Sequence, residues 1–117
     1  MRTIEGGTSE FTEVVALDEQ KYGASHLFEV KPVDGDQNPP FAQISFQKGP
    51  IKEAGRNGCH NEDLLIIVLD RLNGFQNTDF KCRENALAIT KIEEALHWLR
   101  ARTNARKARN VEGTHKV

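Results

Sequence analysis

The residues of this chain best suited to chemistry are basic and lie near its C-terminal end. Arg100, Arg102, Arg106, Lys107 and Arg109 place five cations within ten residues with no acid among them. A basic run at a helix C-terminus is ordinarily a solvated face that complements the helix dipole. Five cations exceed what the dipole needs, and arginine suits bidentate contact with phosphate. Two further residues are open to either a structural or a ligand-binding reading. Asn85 falls on what reads as the apolar seam of a helix, where an orphaned amide costs roughly 1–3 kcal/mol. It either sets register, caps the helix, or offers donor and acceptor to a ligand's base edge or ribose. Phe75 ends an apolar stripe and either packs in the core or stacks on a purine.

Other chemistry finds little support. No P-loop, nucleophile elbow or HExxH is present, so catalysis is not expected. His26, His60, His97 and His115 are scattered without ligand spacing and read as surface or capping residues. Cys59 and Cys82 lack a CxxC spacing and read as buried structural thiols, which implies neither a zinc site nor a disulfide scaffold. No metal and no cofactor is expected.

The elements that must carry these residues follow from pattern. Residues 1–12 are polar and read as a ragged start, and Val14-Val15-Ala16-Leu17 suits a strand or one helical turn. Residues 26–30 read as a strand with Phe28 and Val30 on one face. A turn-rich stretch over residues 32–40 includes Asp34-Gly35-Asp36 and Asn38-Pro39-Pro40. Ala42, Ile44 and Phe46 then alternate with polar residues, the period of a half-buried strand. A connector leads to a helix opened by Asn61 as cap with Glu62 and Asp63 behind it. Its expected stripe is Leu65, Val68, Leu72 and Phe75. A second helix runs from about residue 83 to 109 with the stripe Ile89, Ile92, Leu96 and Leu99, and Asn85 on the same seam.

The short turn between the helices makes them an antiparallel αα-hairpin. The expected fold class is therefore α+β, a small N-terminal antiparallel sheet followed by a C-terminal helical hairpin. One domain is expected over residues 1–117, with a β-segment at 1–48, a connector at 49–60, the hairpin at 61–110 and a tail at 111–117. Leu64, Ile66, Ile67 and Leu69 add apolar surface that one hairpin cannot cover, so a homo-oligomer is expected.

Composition is consistent with this scheme. The chain has 117 residues, 38% of them hydrophobic, and a formal net charge of −1. That is enough for one modest core and too apolar for wholesale disorder. No apolar run is long enough for a membrane helix, and Met1-Arg2-Thr3-Ile4-Glu5 lacks the apolar core of a secretory signal. The near-neutral charge divides unevenly: residues 1–58 carry 6 basic and 9 acidic side chains, residues 59–117 carry 10 and 8. A duplex-binding domain is usually more basic overall, so a small ligand with few phosphates is the better match. Asn85 and Arg102 are 17 residues apart, about 25 Å along a continuous helix and about 100° around it. If both serve one pocket, its halves come from different subunits.

Against this background the chain resembles a known family. The run Phe46-Gln47-Lys48-Gly49-Pro50-Ile51-Lys52-Glu53, with Gly55, Asn57-Gly58, Asn61-Glu62-Asp63-Leu64-Leu65 and Asp70-Arg71-Leu72, is similar to the phage-encoded anti-Thoeris sponge proteins. So is Cys82-Arg83-Glu84-Asn85-Ala86-Leu87-Ala88, followed by Glu93-Glu94-Ala95-Leu96, Trp98-Leu99, Arg102-Thr103 and Val111-Glu112-Gly113-Thr114. The likeness covers about residues 46–115, and related anti-CBASS sponges share the helical hairpin.

The resemblance implies sequestration without cleavage. Its expected ligands are cyclic ADP-ribose-type immune signals, glycocyclic ADP-ribose among them, made by host enzymes with TIR domains. Binding would block Thoeris immunity, in the host bacterial cytoplasm during infection. The family's pocket residues map by motif onto Phe75, Asn85 and Arg102, with Arg106 and Arg109 as further candidates for this site or a second one. The resemblance also implies a homodimer, with a hexamer built as a trimer of dimers and cyclic di- or tri-nucleotide ligands in some members. Nucleic acid and membrane are not expected partners. The competing expectations are a small nucleic-acid-binding phage regulator using the basic helix end, and a purely structural or protein-inhibiting module. The tail after Asn110 is expected to close over the pocket.

Overall fold

The computed structural model describes residues 1–35 and 39–117. The chain divides into two compact units, Met1–Cys59 and His60–Val117.

The first unit is a four-stranded antiparallel meander of β1 (Arg2–Ile4), β2 (Thr12–Ala16), β3 (Leu27–Pro32) and β4 (Ala42–Ser45) in sequence order. The expected ragged start is thus corrected, because Arg2–Ile4 pairs with β2 in the register Arg2↔Ala16 and Ile4↔Val14. Its three residues are too few for a pattern to be read, and β2 supplies the template. The Val14–Leu17 run resolves as strand as far as Ala16. The register stacks Ile4, Val14, Val30 and Ala42 in one row and Ala16, Phe28 and Ile44 in the next, all on one face. Phe28 meets Phe46 edge-on at 5.6 Å between ring centroids. The other face carries an ion pair of Lys31 and Glu13 at 3.4 Å. Within the turn-rich stretch expected over residues 32–40, Asp36 and Asn38 lie outside the described residues.

Asp18 fixes the approach to β3. Its carboxylate accepts the His26 N–H at 3.0 Å and the Leu27 N–H at 3.1 Å. Partial desolvation works to raise its pKa, but the Leu27 and His26 N–H groups outweigh it and hold the carboxyl below its ordinary 3.8. The connector contains a single helical turn, α1 (Ile51–Ala54), and ends by pairing alongside β4. There the Gln47 N–H donates to the Cys59 carbonyl at 2.8 Å and the Cys59 N–H to the Ser45 carbonyl at 2.9 Å. Gly58 makes this approach possible, since a Cβ there would overlap the Phe46 carbonyl.

The second unit is the antiparallel pair α2 (Asn61–Gln76) and α3 (Arg83–Ala108). His60, not the expected Asn61, is the N-cap of α2; it is extended at φ −118°, and its N–H donates to the Asp63 carboxylate at 2.8 Å. Asn61 is the first helical residue, because the extended backbone continues one residue further than its side-chain preference suggests. The α3 seam follows a repeat of four and three: Asn85, Ile89, Ile92, Leu96, Leu99, Thr103 and Arg106 are all half-buried or buried. On α2 the half-buried row is Leu65, Leu69, Leu72 and Gln76, with Leu64 and Phe75 beside it. Val68, expected in the stripe, is instead 46% exposed. A single partner helix covers only a narrow strip, so one of the two apolar rows on α2 stays outside. Ile66, Ile67, Leu87 and Trp98 are also exposed. Among the described residues no helix is long and apolar enough to cross a membrane.

Candidate functional site

The expected site residues separate into two groups at opposite ends of α3. Phe75, in the last turn of α2, and Asn85, in the first turn of α3, flank the turn of the hairpin. Arg102, Arg106 and Arg109 lie in the last turns of α3 and at its C-cap. The 17 residues from Asn85 to Arg102 stay helical throughout, so the two groups are about 25 Å apart within one chain.

At the turn end, local hydrogen bonds hold the chain in a defined shape. The Gln76 amide bridges back to Cys82, accepting its N–H at 3.0 Å and donating to its carbonyl at 3.0 Å. The Thr78 hydroxyl donates to the Phe75 carbonyl at 2.7 Å and accepts the Phe80 N–H at 3.1 Å. The Cys82 sulfur accepts the Asn85 N–H at 3.4 Å and caps α3. Cys82 is therefore an exposed cap and not the buried thiol expected, while Cys59 is half-buried. Its position just outside a helix sets its exposure, which composition does not reveal.

Phe75 itself is half-buried and has two neighbours that the sequence reading passed over. The Arg71 guanidinium sits over its ring at 5.0 Å from the centroid. The Phe80 ring stands edge-on to it, 6.4 Å away and tilted by 82°. Arg71 precedes Phe75 by four residues, one helical turn, which is a signal the sequence does contain. Phe80 comes from the turn, where no periodicity points to it.

At the other end the arginines differ sharply in their surroundings. Arg102 and Arg109 are exposed. Arg106 has a side chain only 11% exposed, and the C-terminal tail surrounds its guanidinium. Its Nε donates to Glu112 Oε2 at 3.2 Å, its Nη1 to the Lys116 carbonyl at 2.7 Å, and its Nη2 to the carbonyls of Val111 and Thr114 at 3.0 and 3.1 Å. The chain turns back at Asn110, in the left-handed region at φ 59°. There the Val111 N–H reaches the Arg106 carbonyl and the Asn110 N–H the Lys107 carbonyl, the Schellman termination of a helix. The tail, patternless in sequence, is thus a folded cap on the last turn of α3.

The histidines have local partners. His26 bonds the Lys21 carbonyl through Nε2, His60 caps α2, and His97 packs edge-on against Trp98. Among the described residues no group of three or more His, Cys, Asp or Glu is placed to hold a metal ion.

Comparison with known proteins bears directly on the hairpin. The chain is 59% identical over 75 residues to a protein of Bacillus phage SBSphiJ7 named Thoeris anti-defense 1. The aligned stretch is 64% of this chain and 53% of that relative, so the chain spans about half its length. Residues 38–104 match the family described as Acb2/Tad1, hairpin domain, a span that takes in the connector, all of α2 and most of α3. With the hairpin observed where that match lies, the chain belongs to the Acb2/Tad1 hairpin-domain family.

Proposed function

We propose that this protein is a phage anti-defence sponge. In this reading it binds cyclic ADP-ribose-type signals, glycocyclic ADP-ribose in particular, and holds them intact so that they do not reach the effector of Thoeris immunity. The observation that carries the reading is the 59% identity to a relative named for Thoeris anti-defence. The chemistry of the two ends of α3 supports it. Such a ligand has a purine to stack, ribose hydroxyls to hydrogen-bond and two phosphates to neutralise. Phe75 suits the first, Asn85 the second, and the exposed Arg102 and Arg109 the third.

The separation of the two groups makes the pocket a property of an assembly. A ligand of this size does not bridge about 25 Å, so the aromatic and amide end of one copy works with the arginine end of another. The exposed Ile66, Ile67, Leu87 and Trp98 supply apolar surface for that association. The proposed unit is a homodimer, with a trimer of dimers as the larger form and cyclic di- or tri-nucleotides as additional ligands. A sponge needs tight binding: a Kd of about 10 nM corresponds to about −11 kcal/mol. The proposed setting is the host bacterial cytoplasm during infection.

The test is to mix purified protein with cyclic ADP-ribose isomers, remove free ligand, denature the complex and analyse what is released by mass spectrometry. Recovery of intact ligand near one per pocket is the expected result. Linear ADP-ribose in its place would make the protein an enzyme. Retention of nucleic acid alone, falling steeply with salt, would favour the nucleic-acid-binding reading.

A further inference from the structure

We infer that Phe80 and Arg71 belong to the base-binding end of the site, Phe80 as a second aromatic wall and Arg71 as the cation that holds the Phe75 ring. The inference rests on the sponge reading above and adds two residues to it.

Phe80 is unusual for an aromatic residue in being 75% exposed while held in a fixed place. The turn that carries it is closed by the two bonds between Gln76 and Cys82. Thr78 then ties the Phe75 carbonyl to the Phe80 N–H through one hydroxyl, and the Lys81 N–H donates to the Thr78 carbonyl at 3.2 Å. These bonds fix the position of Phe80 relative to Phe75 without burying its ring. A loose turn would let an exposed ring sample many positions, whereas this one arrives in place, the condition that lowers the entropy cost of binding.

The geometry of the three side chains selects a planar, electron-rich ligand. The rings of Phe75 and Phe80 are tilted by 82° and form a corner. A base stacked parallel to Phe75 stands nearly perpendicular to Phe80, the edge-to-face relation that aromatic quadrupoles favour. Arg71 lies over one face of Phe75 at 5.0 Å, so a stacked base would take the opposite face. It also puts a positive charge beside the ring, on α2 and apart from the arginines in the last turns of α3. Arg71 is a positioning residue for Phe75, and Phe80 a contact residue for the base. The ligand class is a purine nucleotide with phosphate close to its base.

The experiment titrates cyclic ADP-ribose calorimetrically into wild type, Phe75→Ala, Phe80→Ala, Phe80→Trp, Arg71→Gln and Arg71→Lys, with light scattering for assembly and circular dichroism for helix content. Phe80→Ala is expected to weaken binding about tenfold, as loss of one base-stacking ring does. Phe80→Trp restores it. Arg71→Gln weakens binding about fivefold, and Arg71→Lys recovers most of that loss, which a purely structural arginine would not do. If Phe75→Ala loses binding while Phe80→Ala and Arg71→Gln match wild type, the inference fails and the sponge reading stands. If wild type retains no cyclic ADP-ribose, the sponge reading fails and this inference with it. A change of assembly size in Phe80→Ala would make Phe80 an interface between copies and overturn its place in the site.

Discussion

The Arg106 guanidinium and the Glu112 carboxylate meet at 3.2 Å across the end of α3, with only 11% of the Arg106 side chain exposed. Three backbone carbonyls of the same tail share that guanidinium. An arginine that sequence alone offers to a phosphate thus has four hydrogen bonds, one of them to a carboxylate, within the chain's own C-terminal segment. Arg102, one turn earlier and on the same face of the helix, is exposed.

Arg106→Ala should release the tail. Hydrogen exchange over residues 110–116 is expected to rise to that of free chain, with a loss of about 1.5–3 kcal/mol in local stability, the range for hydrogen bonds to a charged group. Arg106→Lys should not rescue it, because an ammonium cannot serve four acceptors in a planar fork. Asn110→Val should loosen the same segment by about 1–2 kcal/mol, since a β-branched residue resists the left-handed backbone at φ 59°, and Asn110→Gly should not. Unchanged exchange in Arg106→Ala would show that the tail does not depend on it.

Gly58→Ala is expected to destabilise the first unit by about 1–3 kcal/mol, the usual cost of forcing a methyl into close-packed atoms. The added Cβ would overlap the Phe46 carbonyl and drive the Cys59 segment off β4. Urea unfolding measures the loss, and a variant as stable as wild type would refute the close approach.

Asp18 makes the first unit sensitive to acid. Its folded pKa lies below the ordinary 3.8, so its contribution is fully present above that value and is lost as the pH falls through the lower folded one. Wild type should therefore lose stability below about pH 4, where Asp18→Asn has less left to lose. Parallel stability profiles for the two proteins between pH 5 and 2 would contradict this role.

Asn85→Ala and Arg102→Glu should each abolish capture of cyclic ADP-ribose while assembly persists. If the pocket is shared between subunits, mixing the two variants should restore up to half of the wild-type sites in heterodimers. Wild-type affinity in either single variant would remove that residue from the site.

Much of the hairpin is legible in the sequence because a helix pair must bury a stripe of fixed period. Ile89, Ile92, Leu96 and Leu99 repeat at three and four, and all face inward. The meander is partly legible for the same reason, through the alternation of Ala42, Ile44 and Phe46. Val68 shows the limit of such reading. It fits the period as well as Leu69 does, and only the position of the partner helix decides which of them is covered. β1 is invisible to pattern because its three residues become a strand only through pairing with β2.

The same division holds at the candidate site. The types and order of the groups can be read along the chain: an aromatic and an amide either side of a short turn, then cations without acids 17 or more residues later. Helix geometry then fixed their separation. That Arg71 and Phe80 stand against Phe75, that Cys82 is an exposed cap, and that Arg106 is committed to the tail emerge from the folded chain. The reason is physical. Helical period is a property of neighbours a few residues apart, whereas the partners of a guanidinium or an exposed ring depend on where the chain turns back, and those turns are set by single side-chain bonds from Gln76, Thr78 and Arg106.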